Sequence, residues 1–185
     1  NVSTSHILNS SNNHYYKFYN SSVSWSEALS LSEEKGGYLV TVTSNSELTF
    51  LWNNFNVYFN QNENVPWISL TDQETEGTWK YASGPEKGQT ASWMLWANGE
   101  GGTSAGEDYA VLHWQRGNGN FFDYTSAYSQ PYIVEWDTTP LEISSYVTAS
   151  DSNKTYTVSP SDNLSPSTNY KIRITNDVKD STSNT

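Results

Sequence analysis

Hydrophobic and polar positions predict two amphipathic helices in the first third of the chain. Residues 24–27 read Ser-Trp-Ser-Glu, a capping box in which Ser and Glu oxygens accept the free amides at a helix start. Gly36 and Gly37 then favour a left-handed helix end. A second Ser-x-x-Glu pattern at residues 44–47 predicts another capping box. It precedes apolar residues at the i, i+3, i+4, i+7 spacing of an amphipathic helix, namely Leu48, Leu51, Trp52 and Phe55.

Short aromatic and β-branched segments predict antiparallel strands around these helices. The segments are residues 15–19, 38–42, 67–70, 78–81, 109–114, 121–124 and 132–136. Residues 1–13 are polar and predict a linker or a peripheral strand. Between residues 82 and 108, Gly, Pro, Ser and Asn recur and neither a helical nor a strand period of apolar residues continues, which predicts a long loop. Such a loop in a compact domain usually has a function.

The pattern changes near residue 138, where Thr-Thr-Pro indicates a boundary. Beyond it aromatic residues thin out and no Trp occurs. Residues 155–158 and 170–174 alternate as strands with one solvated face do. Two such strands are too few to close a β-sandwich. We therefore expect an α+β domain over residues 14–137 and a partial β segment over 138–185.

Composition excludes several classes of function. The net charge is −11 and the nine basic residues are scattered, which disfavours nucleic acid and anionic membranes as partners. The absence of Cys excludes disulfides, thiolate catalysis and Cys-ligated zinc. No apolar run is long enough for a transmembrane helix or direct membrane insertion. Asn1 is not an initiator, so we expect a fragment of a longer protein, and the Asn/Ser/Thr-rich composition suggests an extracellular, cell-surface location.

Five motifs occur in the order found in the C-type lectin-like family, which residues 15–137 resemble. They are Ala28 to Gly36-Gly37-Tyr38-Leu39, Trp67-Ile68-Ser69-Leu70, Thr71 to Trp79, the loop residues Trp96, Gly99-Glu100 and Gly106-Glu107-Asp108, and Pro131 to Glu135. The resemblance implies a C-type lectin-like fold: two helices flanking antiparallel sheets, with a long binding loop. The tail resembles the second half of a bacterial Ig-like repeat, so the fold class is α+β plus a small partial β-sandwich.

The chain departs from the family in its lack of Cys. The resemblance would place the two family disulfides at Ser32 with Val134 and at Tyr109 with Ser126. The chain is similar in this respect to disulfide-free members of bacterial surface proteins. Core packing must then replace cross-links worth ~2–4 kcal/mol each.

Four carboxylates form a candidate calcium site. Calcium prefers six to eight oxygen ligands, several of them anionic. The resemblance assigns Asp72, Glu76, Glu107 and Asp108 to the family's auxiliary calcium site, and would place one more carboxylate near Thr103. Calcium is thus the candidate cofactor, and we expect it to hold the long loop. The alternatives are a polar turn for the first pair and a solvated loop end for the second.

The family's principal sugar site is reduced in this sequence. A loop tripeptide that supplies a proline and an amide in the family reads Glu100-Gly101-Gly102 here. The family's Trp-Asn-Asp reads Phe121-Phe122-Asp123, which removes a second amide. A possible second calcium or ligand site would consist of Glu100, Glu107 and Asp123.

Aromatic side chains beside the long loop offer another binding surface. Aromatic faces stack on sugar C–H groups and are common in protein interfaces. The candidate ligand contacts are Trp93, Trp114, Phe122 and Tyr124, within a wider group that includes Tyr128. Their alternative role is in the core, to which we assign Trp67, Trp79 and Trp96 outright.

These observations predict a binding module and not an enzyme. No nucleophile elbow occurs, and His6, His14 and His113 are isolated and have no assigned role. We expect a module at the exposed end of an extracellular bacterial adhesin, binding a glycan or protein on another cell surface. The alternative is a structural spacer in a surface stalk, and a secreted carbohydrate-active enzyme ranks third.

Overall fold

The structure is a computed structural model and describes residues 5–58, 64–104, 106–113, 120–140, 147–150 and 155–158. The chain divides into two compact units, Asn1–Thr138 and Thr139–Thr185. No helix among the described residues is both long and apolar enough to cross a membrane.

The described part of the first unit contains two α-helices and eight strands. The helices are α1 (Trp25–Glu34) and α2 (Asn45–Phe55), and a 3-10 turn (Asn56–Tyr58) follows α2. The strands are β1 (Ile7–Asn9), β2 (His14–Val23), β3 (Tyr38–Leu39), β4 (Trp67–Thr71), β5 (Lys80–Tyr81), β6 (Tyr109–His113), β7 (Asn120–Tyr124) and β8 (Gln130–Trp136).

The first helix begins as the sequence predicts. The Ser24 side chain accepts from the Glu27 amide, and the Glu27 carboxylate accepts from the Ser24 amide at 3.1 Å. Gly36, just beyond the helix, has a φ of +76°, which confirms the left-handed end.

The second capping box is only half formed. The Ser44 side chain accepts from the Glu47 amide, as predicted. The Glu47 carboxylate does not return to Ser44 but accepts from the Thr43 amide at 2.9 Å. Glu47 is also 4% exposed, so its side chain points into the domain and not along the surface of the helix. This prediction was wrong because a buried polar network competes for the carboxylate.

The sheet has the order β1-β2-β8-β4-β6-β7, with β3 paired to β8 and β5 paired to β4. Its pairs are antiparallel except for β4 and β8, which are parallel at Trp67 and Tyr132. The edge strand β1 confirms the peripheral-strand alternative for the start of the chain. The predicted strand over 38–42 is shorter than expected, because Val40 leaves the ladder to donate to Ile133 and accept from Ser69.

Both faces of the sheet are covered, and each helix covers one face. Successive residues of β4, β6 and β8 fall alternately into two buried clusters, as the two-residue period of a strand requires. The cluster that includes α2 contains Ile68, Leu70, Ala110, Leu112 and Ile133. The cluster that includes α1 contains Trp67, Tyr109, Val111, Tyr132, Val134 and Trp136. This packing accounts for the continuous apolar strands and the absence of polar alternation in them.

Buried side chains occupy the two positions to which the resemblance assigns one disulfide. Ser32 and Val134 are both fully buried, and the Ser32 hydroxyl donates to the Ala28 carbonyl at 2.6 Å. The Ser hydroxyl is therefore satisfied inside its own helix, where the family has a cross-link.

In the second unit, the described residues form one antiparallel pair, β9 (Val147–Ser150) with β10 (Thr155–Val158). The sequence predicts β10 and misses β9, whose Val-Thr-Ala-Ser segment has little apolar alternation. The strand predicted over residues 170–174 lies outside the described residues.

Candidate functional site

The turn after β4 is built around Asp72. Its amide donates to the Asp108 carbonyl at 3.3 Å, which joins the turn to the residue before β6. Its carbonyl accepts from Thr75, and its Oδ2 accepts from the Gly77 amide at 2.8 Å. Gly77 has a φ of +74°, a conformation that costs glycine little. The turn therefore has a fixed shape and holds the Asp72 side chain inward.

Three of the four predicted carboxylates converge at this turn. Oxygens of Asp72, Glu76 and Asp108 all lie within 4.8 Å of one another. Asp72 is 2% exposed, whereas Asp108 is half-buried and Glu76 is exposed. No hydrogen-bond partner for the buried Asp72 Oδ1 occurs among the described residues. The cluster thus runs from the interior to the surface, with one unsatisfied anionic oxygen at its buried end.

The electrostatics of the cluster fit a divalent cation. Burial raises the pKa of Asp72, and the neighbouring Glu76 and Asp108 raise it further, against the stabilising Gly77 amide. Three convergent carboxylates repel one another unless a cation or a proton compensates them. Calcium prefers such oxygens and could complete its shell with backbone carbonyls and water.

Thr103 lies where the resemblance would place a further carboxylate. Its methyl carbon is 3.1 Å from the position that a Cβ on Gly77 would take, so it faces the same turn. Glu107 is half-buried and adjacent to Asp108 in the chain, but it is not a member of the converging group. The second predicted trio, Glu100, Glu107 and Asp123, does not converge to the same distance among the described residues.

The end of the long loop is packed on tryptophans. The Trp79 and Trp96 ring centroids are 4.5 Å apart, and Trp79 Nε1 donates to the Gly101 carbonyl at 3.3 Å. A Cβ on Gly101 would lie 2.3 Å from the Trp96 ring, and Gly101 has a φ of +69°. Only glycine fits there, so the Glu100-Gly101-Gly102 segment has a structural reason for lacking the family's tripeptide.

The predicted aromatic contacts separate into core and surface. Trp93 is half-buried and packs edge-on against the buried Phe121, at a centroid distance of 5.9 Å. Phe122 is half-buried and stacks on His113 at 4.1 Å. Trp67 and Trp79 are buried, at 0% and 2% exposure, as predicted. Trp114 lies outside the described residues.

One further aromatic pair has a half-buried and an exposed member, Tyr124 and Tyr128. The Tyr124 and Tyr128 rings are 4.7 Å apart, and Tyr128 is 51% exposed. Burial raises the pKa of Tyr124, with smaller contributions from Tyr128 and from the charge of Glu100. We refer to Glu100, Tyr124 and Tyr128 as the tyrosine patch. Asp123 precedes Tyr124 in β7, where side chains alternate between buried and partly exposed, and it is 5% exposed.

A second acidic cluster, which the sequence does not reveal, joins α2 to β2 and β8. The Tyr16 phenol oxygen lies 2.6 Å from Glu47 Oε1 and 2.9 Å from Glu135 Oε1. His14 Nδ1 lies 2.6 Å from the same Glu135 oxygen, and this hydrogen bond raises the pKa of His14. The one available signal is a Glu among the apolar and aromatic residues that follow Gln130 in strand β8. His14 is thus engaged, although its spacing in sequence suggests no role.

A family model for the lectin C-type domain matches residues 21–135, and the chain belongs to this family. Members are generally binding modules without enzymatic activity, and they typically bind Ca²⁺. A model for a bacterial Ig-like domain matches residues 123–185.

Curated relatives are much longer than the matched segments. Halomucin of Haloquadratum walsbyi is 32% identical over 142 residues, which is 66% of this chain and 1% of that protein. C-type lectin domain family 4 member F of Rattus norvegicus is 34% identical over 89 residues, 48% of this chain and 15% of that protein.

Solved structures confirm the C-type lectin-like fold. Human lithostathine matches with a TM-score of 0.62 and 17% identity, covering 72% of this chain and 97% of that chain. The C-type lectin domain of murine dendritic cell inhibitory receptor 2, in complex with an N-glycan, matches with a TM-score of 0.58 and 18% identity, covering 74% and 98%.

Proposed function

We propose that the lectin-type unit is the ligand-binding module of an extracellular adhesin and recognises a glycan or protein on another cell surface. The observation that carries this proposal is the convergence of Asp72, Glu76 and Asp108, which connects the turn after β4 to the end of the long loop. A calcium ion held there would fix the end of the binding loop at Asp108 to the turn after β4. Its contribution is charge compensation and rigidity.

The tyrosine patch is the proposed contact surface. Tyr128 offers an exposed ring, and Glu100, whose charge acts on Tyr124, offers hydrogen-bond acceptors for hydroxyl groups. This combination suits a sugar, which has both a C–H face and hydroxyls, and it also suits a protein surface. A spacer needs no exposed aromatic surface, so Tyr128 favours the binding role.

Calcium is expected to stabilise the wild-type chain, because it binds the folded carboxylate cluster and not the unfolded chain. At a calcium concentration 100 times the Kd the gain is about 2.7 kcal/mol, visible as a rise in Tm. Asp72→Asn should abolish most of this rise. Glu74→Gln is the matched control, since Glu74 lies in the same turn, is 76% exposed and is not a member of the group.

The measurement is a thermal melt of each variant in EDTA and in millimolar calcium. An equal calcium-induced rise for wild type and Asp72→Asn would exclude this cluster as the site.

Ligand binding is tested on a glycan array in calcium and again in EDTA. We expect Tyr128→Ala to reduce any bound signal at least tenfold, because it removes the exposed ring, whereas Leu8→Ala should have no effect. Leu8 is an exposed apolar residue of β1, at 45% exposure. Signal lost in EDTA would make Glu100, Glu107 and Asp123 the next variants, and signal retained in EDTA would support the aromatic surface alone.

Absence of signal in both buffers would contradict the glycan branch of the proposal and direct the search to a protein ligand. Equal losses for Tyr128→Ala and Leu8→Ala would contradict the assignment of the tyrosine patch.

A further inference from the structure

We infer that a separate cavity, between α1 and the β4–β5 hairpin, binds a single sugar ring that carries a carboxylate. Its volume is about 280 Å³. Sites for drug-sized ligands occupy roughly 300–1,000 Å³, so this cavity is suited to one ring and not to an oligosaccharide. Its walls include Trp25 and Leu29 of α1, and Thr71, Lys80, Ala82 and Lys87 of the hairpin and the turn after it.

The floor of the cavity is apolar. The Trp25 ring nitrogen donates to the Ile68 carbonyl at 2.9 Å, so the polar edge of the indole is already used. The side chain is 7% exposed and presents a small carbon surface to the cavity. Tyr81, another wall residue, donates its hydroxyl to the Val42 carbonyl at 3.0 Å. Leu29 and Ala82 complete the floor. Such a surface packs well against the C–H face of a sugar.

The rim of the cavity is cationic, unlike the rest of the chain. The net charge of the chain is −11, yet two lysines, Lys80 and Lys87, line this one cavity. In the first unit the structure describes only two other Lys or Arg residues, Lys17 and Lys35. Two ammonium groups at one small cavity favour a carboxylate over a neutral ligand.

Glu74 currently pairs with Lys80 and would be displaced. The distance from Lys80 Nζ to Glu74 Oε2 is 2.6 Å, and this contact lowers the pKa of Glu74. Because the Glu74 side chain is 76% exposed, the pair contributes little to stability and its carboxylate can leave. A ligand carboxylate would take the same place on Lys80.

Hydroxyl and amide groups also line the rim, which favours a sugar acid over a simple aromatic acid. Thr71, Thr78 and Gln73 all line the cavity. They can donate to and accept from the hydroxyls of a ring. The ligand class that fits the floor, the charge and the rim together is a hexuronate.

The test is an NMR titration of the full ¹⁵N-labelled chain with glucuronate in EDTA at low salt. We expect saturable shifts of the Trp25 indole and of the Ala82 and Lys87 amides, and no comparable shifts with glucose. Lys80→Gln combined with Lys87→Gln should weaken binding at least tenfold. Glu74→Gln should strengthen it about threefold, because Lys80 loses its competing partner.

The control variant is Lys17→Gln combined with Lys35→Gln, which makes the same change in net charge away from the cavity. Equal weakening by the control pair, equal shifts with glucose, benzoate shifting the same signals as strongly as glucuronate, or shifts confined to the tyrosine patch would each overturn the inference. The titration contains EDTA and is read at the cavity, so its failure would not contradict the calcium proposal. A failure of the calcium melts would likewise not contradict binding at the cavity.

Discussion

Glu135→Ala is expected to destabilise the first unit by about 3–5 kcal/mol, since breaking a buried charged network leaves its partners uncompensated. Glu135 is 1% exposed and lies in β8 at the centre of the sheet. One of its oxygens accepts from the Thr41 amide at 3.0 Å and from the Thr41 hydroxyl at 3.2 Å. The other lies next to Tyr16 and His14.

The loss is large because the Ala side chain replaces none of these acceptors. The Thr41 amide is a buried donor outside any strand, and an unpaired donor of this kind costs about 1–3 kcal/mol by itself. A cavity the size of the lost side chain adds to this cost. Hydrophobic burial elsewhere in the core is unchanged, and the only offset is the loss of the repulsion between Glu135 and Glu47.

Urea unfolding of wild type, Glu135→Ala, Glu135→Gln and Glu34→Ala checks this expectation. Glu34→Ala, an exposed glutamate at the end of α1, should change the free energy of unfolding by less than about 0.5 kcal/mol. Glu135→Gln keeps an acceptor oxygen and should lose less than Glu135→Ala. If Glu135→Ala behaved like Glu34→Ala, the network would contribute nothing to stability.

Local patterns predict the elements of this fold because their causes are local. The helix start at Ser24, the glycine end at Gly36 and the stripe from Leu48 to Phe55 each depend on residues a few positions apart. The motif order then identifies the fold family. The parallel pairing of β4 with β8 could not be predicted from the hydrophobic period. The period shows which face of a strand is buried, but it does not show which strand lies beside it.

The candidate site could be predicted in part for the same reason. Asp72 and Asp108 are recognisable as carboxylates at a turn and at a loop end. Their contact, and the separation of Glu107 from the cluster, depend on how the turn closes on Asp108. Similarly, the sequence does not separate the exposed Tyr128 from the core-packed Trp93, because both lie in aromatic-rich segments without a period.

Glu47 lies in a Ser-x-x-Glu pattern, but its carboxylate does not cap the helix. Its position in a Ser-x-x-Glu pattern predicts a surface cap. The sheet order places β2 beside β8, with Tyr16 directly opposite Glu135, and α2 packs above them. The carboxylate therefore has stronger partners in the interior than at the helix start.

The same geometry makes Glu47 the expected origin of a pH-dependent stability. The Tyr16 phenol has one hydrogen, yet its oxygen is within hydrogen-bond distance of both Glu47 and Glu135. Burial and the two carboxylates raise the pKa of Tyr16, so the phenol keeps that hydrogen. Both contacts are satisfied together only if one carboxyl group is protonated and donates to the phenol oxygen. Burial, then Glu135, raises the pKa of Glu47 to about 7, and we therefore expect Glu47 to be that group.

Stability should therefore fall as the pH rises from about 4.5 to about 7. In this range the folded chain retains the Glu47 proton that the unfolded chain has released, so raising the pH favours unfolding. At 1.36 kcal/mol per pKa unit the total is about 3 kcal/mol. His14 acts in the same direction, because its pKa is raised from 6.5 and its contribution is lost as the pH rises through the raised value.

Thermal melts from pH 4.5 to pH 8 in EDTA, at a salt concentration that screens the net negative charge, measure this effect. Glu47→Gln carries a permanently neutral group at the same position, so its stability should depend on pH much less than that of the wild type. Asp72 also has a raised pKa and adds a slope of the same sign, but it is present in both proteins and cancels in their difference. Parallel curves for the two proteins would contradict the assignment of the retained proton to Glu47.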